Sequence, residues 1–204
     1  MEAASITLPH AHDDHHHGPP PANQSSSVDS KKLGIYLFII SELMLFGAFF
    51  TAYFFIRIAG NAHWPPNGDL PVWVAATNAV ILLSSSLTMH WTDVSAKRDN
   101  QLAMRVGIVT TFLLGATFLF VQINEYLNLG FTPKTNAQAS VFFGLTGLHG
   151  AHVVIGLILL FMSGLRIFKG QVTKDDHVGL EIPGIYWHFV DLMWIVVFTT
   201  IYVL

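Results

Sequence analysis

The sequence predicts an all-α integral membrane protein, a bundle of five transmembrane helices with the N-terminus in the cytoplasm and the C-terminus outside. Charged residues make up only 11% of the 204 residues, and hydrophobic residues make up 52%, whereas a soluble domain is about one-quarter charged. Several apolar stretches are long enough to cross a hydrocarbon core about 30 Å thick. The Lys and Arg residues are also distributed very unevenly over the segments between these stretches.

The spans follow from the length of each apolar stretch. The first predicted span, 33–56, contains one formal charge, Glu42, and a helix of that length rising about 1.5 Å per residue is longer than the hydrocarbon core is thick. The same test predicts four further spans, separated by segments with Pro, Asn, Asp and Lys: 72–91, 106–129, 139–165 and 182–204. Residues 1–30 lack the basic and apolar regions of a signal peptide. Their His-, Pro- and Ser-rich composition predicts a disordered tail before a five-helix membrane domain, 31–204.

The basic residues give the bundle a direction in the membrane. Arg57 and Lys134 lie on one side of a five-span bundle, and the remaining Lys and Arg residues lie on the side of the N-terminus, namely Lys31, Lys32, Lys97, Arg98, Arg105, Arg166, Lys169 and Lys174. The positive-inside rule therefore places the N-terminus and the loops 92–105 and 164–181 in the cytoplasm.

Composition also excludes classes of function. The net charge of −3, without a basic stripe bearing interleaved aromatic residues, argues against a nucleic acid partner. The chain has no cysteine, which excludes disulfides, thiolate nucleophiles and cysteine-ligated metals. No nucleophile motif, phosphate-binding loop or haem-binding pattern is present.

Five ionisable residues in the spans share one depth. Counted at about 1.5 Å per residue from the span ends, they lie in the middle of the membrane: Glu42, His149, His152, His188 and Asp191. The i,i+3 spacing within the last two spans puts each pair on one helix face, so the sequence predicts a common polar layer inside the bundle. Small residues at Ser140/Gly144 and Gly147/Ala151 form a small-xxx-small pattern that would let another helix approach closely.

A second polar group lies near the outer end of the third span, in the stretch "VQINEY". It consists of Gln122, Asn124 and Glu125. We expect water at the membrane interface to lower the cost of these side chains, with Tyr126 as an interfacial anchor.

The polar layer is open to three interpretations. A hydrogen-bonded cluster that registers helices or meets lipid head groups is the favoured one. A metal site would use His149 and His152 with Glu42 or Asp191, and a proton relay would use the same residues but needs a polar chain reaching both faces. The favoured interpretation assigns no metal and no catalytic residue to this chain.

Four stretches carry a resemblance to a known family. They are "SELMLFGAFFTAYF", "VQINEY", "FFGLTGLHGAHVVIGLILL" and "YWHFVDLMWIVVF", in this order along residues 33–204. Together they resemble subunit III of the haem-copper terminal oxidases, in a five-helix form that lacks the first two helices of longer members.

This resemblance implies a subunit of a proton-pumping oxidase in aerobic respiratory electron transport, in a bacterial-type plasma membrane. Such a subunit has no redox centre and supports the assembly, lipid retention and stability of the catalytic subunit I. Subunit II and small subunits would complete the complex, phospholipid would bind to this chain, and haem and copper would lie in its partners. The resemblance matches six residues to family positions: Glu42 to a buried carboxylate, His149 and His152 to paired histidines, His188 and Asp191 to a last-helix motif, and Arg166 to a lipid-facing arginine.

Two alternatives remain beside this interpretation. The His-rich tail is similar to that of the quinol oxidase branch, whereas Ser41, Glu42, Tyr186 and Trp187 in their motifs are closer to the cytochrome c oxidase branch, which we favour. From a different class of function, a free-standing proton or ion transporter would use the same polar layer without partner subunits.

Overall fold

The structure, a computed structural model, describes residues 30–59, 71–173 and 178–203. Within these ranges it contains five α-helices, each long and apolar enough to cross a membrane, which confirms the predicted helical fold class. They are α1 (Ser30–Ala59), α2 (Val72–Lys97), α3 (Gln101–Asn128), α4 (Ala137–Phe168) and α5 (Val178–Phe198), and α5 continues into a π-helical turn, Thr199–Val203. The predicted disordered tail lies, apart from its last residue, outside the described residues.

Polar residues at the N-terminal ends of α3 and α4 explain why these two helices begin before the apolar stretches. The Asn100 side chain accepts a hydrogen bond from the backbone N–H of Ala103 and caps α3. Asn136 caps α4 in the same way through the N–H of Ala139. Each cap satisfies one of the backbone donors that the first turn of a helix leaves unpaired.

Four of the helices form a closed ring. α2 packs against α3, α3 against α4, α4 against α5, and α5 back against α2, while α1 lies outside the ring against α4 and α5. Most of the strongly apolar stretch of α5 is fully buried, whereas very little of the corresponding stretch of α1 is. In a membrane, this exposed apolar surface meets lipid or another subunit.

Trp187 of α5 fills the centre of the ring. A Cβ atom added at Gly115 of α3 would lie 2.5 Å from the indole, and one added at Gly156 of α4 would lie 2.8 Å from it. The indole Nε1 donates to the Ser85 hydroxyl of α2 over 3.0 Å. A single fully buried side chain therefore touches all three other helices of the ring.

Candidate functional site

Glu42 and His152 form a polar link between α1 and α4. The Glu42 Oε2 lies 2.8 Å from Nε2 of His152, and Nδ1 of the same ring lies 2.8 Å from the backbone oxygen of Leu148. A carbonyl oxygen can only accept, so Nδ1 carries a proton and donates it to Leu148. The hydrogen bond between Nε2 and the Glu42 carboxyl group needs a second proton, which is held either by Nε2 or by the carboxyl group. In both cases the pair is neutral overall, which lowers the cost of keeping it in a membrane.

Aromatic side chains surround this pair on the side of the bundle. The Phe46 ring of α1 lies 5.1 Å from the His152 ring, centroid to centroid, and the Tyr186 ring of α5 stacks at 6.5 Å. The Tyr186 hydroxyl also donates to the backbone oxygen of His152 over 3.3 Å. The carboxyl-bearing side chain of Glu42 remains 16% exposed, so the link lies at the edge of the bundle, where α1 meets α4 and α5.

His149 occupies different surroundings, one turn away. It is fully buried, 4.9 Å from the Trp194 ring and edge-on to Phe118. Neither of its ring nitrogens makes a hydrogen bond to any residue that the structure describes. His149 and His152 therefore do not share one interior site. Residues three apart on a helix point about 60° apart, and here the two side chains face different neighbouring helices.

His188 and Asp191 belong to a third place, the contact between α5 and α2. The Nδ1 atom of His188 lies 2.6 Å from the Ser86 hydroxyl of α2. The buried Asp191 carboxyl group lies beside the same serine. The single polar layer expected from depth alone is thus three separate local sites around the ring.

The hydroxyl groups of α2 are functional residues that the sequence analysis missed. Ser85 receives the Trp187 N–H and itself donates to the backbone oxygen of Leu82. Ser86 binds His188. Three consecutive serines within an apolar span, residues 84–86, were the available signal that α2 supplies polar contacts.

The outer polar group is more enclosed than the sequence suggested. Gln122 and Glu125 are only 2% and 5% exposed, and the Tyr202 hydroxyl in the π-helical turn donates to Oε1 of Glu125 over 2.8 Å. Tyr202 thus covers the Glu125 carboxyl group, and both Gln122 and Glu125 are less accessible than an interfacial position implies. Asn124, on another face of α3, is exposed as expected.

We expect Tyr202→Phe to destabilise the protein by about 1–3 kcal/mol, because it removes the hydrogen bond to the buried Glu125 carboxylate. Tyr126→Phe is the matched control: its hydroxyl donates to Thr146, but Thr146 keeps its own bond to Phe142. Thermal unfolding of the two purified variants measures the difference. Equal unfolding temperatures would contradict the assigned role of Tyr202.

Arg166 lies at the far end of α4, away from these sites. Its guanidinium group reaches the first turn of α5, where a Cβ added at Gly179 would lie 2.5 Å from Nη1. Arg166 also lines a pocket of about 250 Å³ together with Gln171 and Val172. Arg166 thus contacts the α4–α5 connection and is otherwise exposed.

The chemistry available to these sites is hydrogen bonding between helices. Among the residues that the structure describes, no three His, Asp or Glu side chains come together as metal ligands. Glu42 and His152 would supply two ligands at most.

Comparison with known proteins identifies the family. The family model for cytochrome c oxidase subunit III matches residues 22–204. A cytochrome c oxidase subunit 3 from Thermostichus vulcanus is 39% identical over all of this chain and 95% of its own length. The proteins of the same name from Triticum aestivum and Drosophila melanogaster are 39% and 37% identical, over 84% and 83% of this chain and 67% of their own lengths. This multi-pass membrane chain therefore belongs to the cytochrome c oxidase subunit III family, the third subunits of haem-copper oxidase complexes.

Proposed function

We propose that this chain is a non-catalytic subunit of a proton-pumping cytochrome c oxidase in a bacterial-type plasma membrane. It binds laterally to the catalytic subunit I, in a complex with subunit II and small subunits, and supports the assembly, lipid retention and stability of that complex. Haem and copper are held by the partner subunits. This chain contributes no cofactor ligand and no reacting group to oxygen reduction.

The observation that carries the proposal is how the buried polar side chains are used. Glu42 joins α1 to α4 through His152, Ser86 joins α2 to α5 through His188, and Glu125 joins α3 to the end of the chain. Polar groups in a membrane are costly, and pairing across helices is their usual structural use. These three links are spread around the bundle instead of converging on one reaction site, which suits a supporting subunit.

The outer surface of α1 is suited to lateral association. Its exposed large apolar side chains extend along the whole helix: Leu33, Tyr36, Leu37, Phe38, Ile40, Leu43, Met44, Leu45, Phe54, Phe55 and Ile58. Van der Waals packing drives helix association in lipid. We propose that this surface, together with the outer faces of the ring, is shared between phospholipid and partner subunits.

For the electron donor we propose cytochrome c. The relatives with high identity are named cytochrome c oxidase subunit 3, which supports this branch over the quinol branch. Two measurements distinguish the cytochrome c branch from the quinol branch. They are the type of haem that co-purifies with the chain and the rate at which the preparation oxidises each donor.

Purification through an affinity tag on this chain tests the proposal. In a mild detergent, we expect a large membrane subunit and haem absorbance to co-purify with the tag, and the preparation to oxidise reduced cytochrome c with oxygen. A colourless chain that is stable alone would contradict the proposal, and ion flux through the reconstituted chain would then support the transporter alternative.

A further inference from the structure

An apolar groove runs along the outer face of the α3–α4 contact. It encloses about 250 Å³ and is lined only by apolar residues, among them Ile108, Val109, Phe112, Leu160, Gly164 and Phe168. Gly164 has no side chain to fill the space between the helices. On α3 the lining begins at Ile108 and reaches Leu113, so the groove runs along the helix axes. Lipid acyl chains take the same direction in a bilayer.

A cationic group stands at one end of this groove. The guanidinium carbon of Arg105 lies 5.6 Å from the centroid of the Phe168 ring, and Phe168 itself lines the groove. Arg105 precedes Ile108 by one turn of α3. From Arg105 to Leu113 the helix rises about 12 Å, close to the depth of one leaflet of the hydrocarbon core.

Arg105 has hydrogen-bonding capacity that the protein does not use. Its Nε is buried and has no hydrogen-bond partner among the described residues, but the residue as a whole is only half-buried, and none of the ion pairs found among those residues includes it. The exposed Lys169 follows Phe168 directly, at the end of α4. Arg105 and Lys169 therefore both stand next to Phe168, at the end of the groove that the basic residues of the sequence assign to the cytoplasm.

We propose that this groove binds one acyl chain of an anionic phospholipid, with the lipid phosphate on Arg105. A guanidinium group is planar and can give a phosphate two parallel hydrogen bonds, and basic pockets between transmembrane helices on the cytoplasmic side suit anionic head groups. An apolar side chain of a partner subunit would fill the groove but would leave Arg105 without a counter-charge. The inference rests on the proposed function and gives its lipid-retention role a defined site.

Two substitutions test the two halves of this site. Arg105→Gln removes the charge, with Arg98→Gln as its control, since Arg98 is an exposed arginine at the end of α2. Val109→Phe fills the groove, with Ile123→Phe as its control on the same helix. Val109 and Ile123 are 42% and 52% exposed, and only Val109 lines the groove.

The readout is native mass spectrometry of the purified oxidase incubated with phosphatidylglycerol or with phosphatidylcholine. We expect the unsubstituted complex to retain one more phosphatidylglycerol than phosphatidylcholine. Arg105→Gln should weaken the binding of phosphatidylglycerol roughly tenfold, as for the loss of one strong contact, and abolish the preference. Val109→Phe should reduce the retention of both lipids, and the two control variants should match the unsubstituted complex.

Unchanged lipid retention in Arg105→Gln and Val109→Phe would overturn the proposal. A photo-reactive residue at position 109 that crosslinks to another oxidase subunit, and not to lipid, would overturn it as well. Neither result would affect the proposed function if the chain still co-purifies with haem. If the chain purifies without an oxidase, the same lipid count on the chain alone tests the groove, and only the proposed function is contradicted.

Discussion

Gly156→Val is expected to destabilise the bundle more than any other single substitution considered for this chain. Its Cβ would lie 2.8 and 2.9 Å from two atoms of the Trp187 indole, well inside van der Waals contact. The indole has little room to move, because Gly115 of α3 also lies against it and Ser85 accepts a hydrogen bond from its N–H. Overpacking of this kind typically costs about 1–3 kcal/mol, and we expect the upper end of that range or loss of folding.

Gly150→Val is the matched control for this substitution. It lies on the same helix and changes the same residue type, but an added Cβ at Gly150 would meet no atom within 4 Å. Thermal unfolding in detergent, or the yield of assembled protein if Gly156→Val does not fold, compares the two. A Trp187→Leu replacement should partly rescue Gly156→Val, since it frees the space. Equal stability of Gly156→Val and Gly150→Val would contradict the central position of Trp187.

Glu42→Leu is expected to release α1 from the bundle, whereas Glu42→Gln is expected to keep it attached. Leucine leaves Nε2 of His152 without a partner at a largely buried position, at a cost of about 1–3 kcal/mol. A glutamine amide N–H can instead donate to Nε2, while Nδ1 still donates to Leu148. A second ion pair of α1, Lys32 with Glu181, is more exposed and should compensate little.

The attachment of α1 can be measured by cysteine labelling, because the chain contains no cysteine of its own. A cysteine replacing the half-buried Ala52 of α1 should react with a maleimide several-fold faster in the Glu42→Leu background than in the unsubstituted one. The Glu42→Gln background should label at the unsubstituted rate. If Glu42→Gln labelled as fast as Glu42→Leu, the charge or the extra proton, and not the hydrogen bond, would hold α1.

The number of helices and several of the polar residues could be predicted from the sequence, because both depend on composition along the chain. A carboxylate such as Glu42 is conspicuous within an apolar span, and its depth follows from its position. The partners of each side chain could not be predicted, because they depend on how each helix is rotated about its axis. His149 and His152 share a depth but face different neighbours for this reason.

Small and hydroxylated residues were harder to identify. The sequence favoured Gly144 and Gly147 as points of close approach. An added Cβ at Gly144 would lie 2.9 Å from the Phe49 ring of α1, but nothing lies within 4 Å of one at Gly147. The closest approaches at Gly115 and Gly156 are made by Trp187 of another helix. Serines are inconspicuous because they can bond to their own helix, as Ser85 does to Leu82. Contacts between distant parts of the chain decide which of these residues matter.

The most direct test of a non-catalytic role is to remove this chain from the purified oxidase and to assay the remaining subunits. We expect the remainder to keep its haem spectrum and its initial rate of oxygen consumption per haem. Its bound phospholipid and its thermal stability should fall, and its activity should decay faster during turnover. Loss of haem absorbance, or of the initial rate, in proportion to the amount of chain removed would contradict the account.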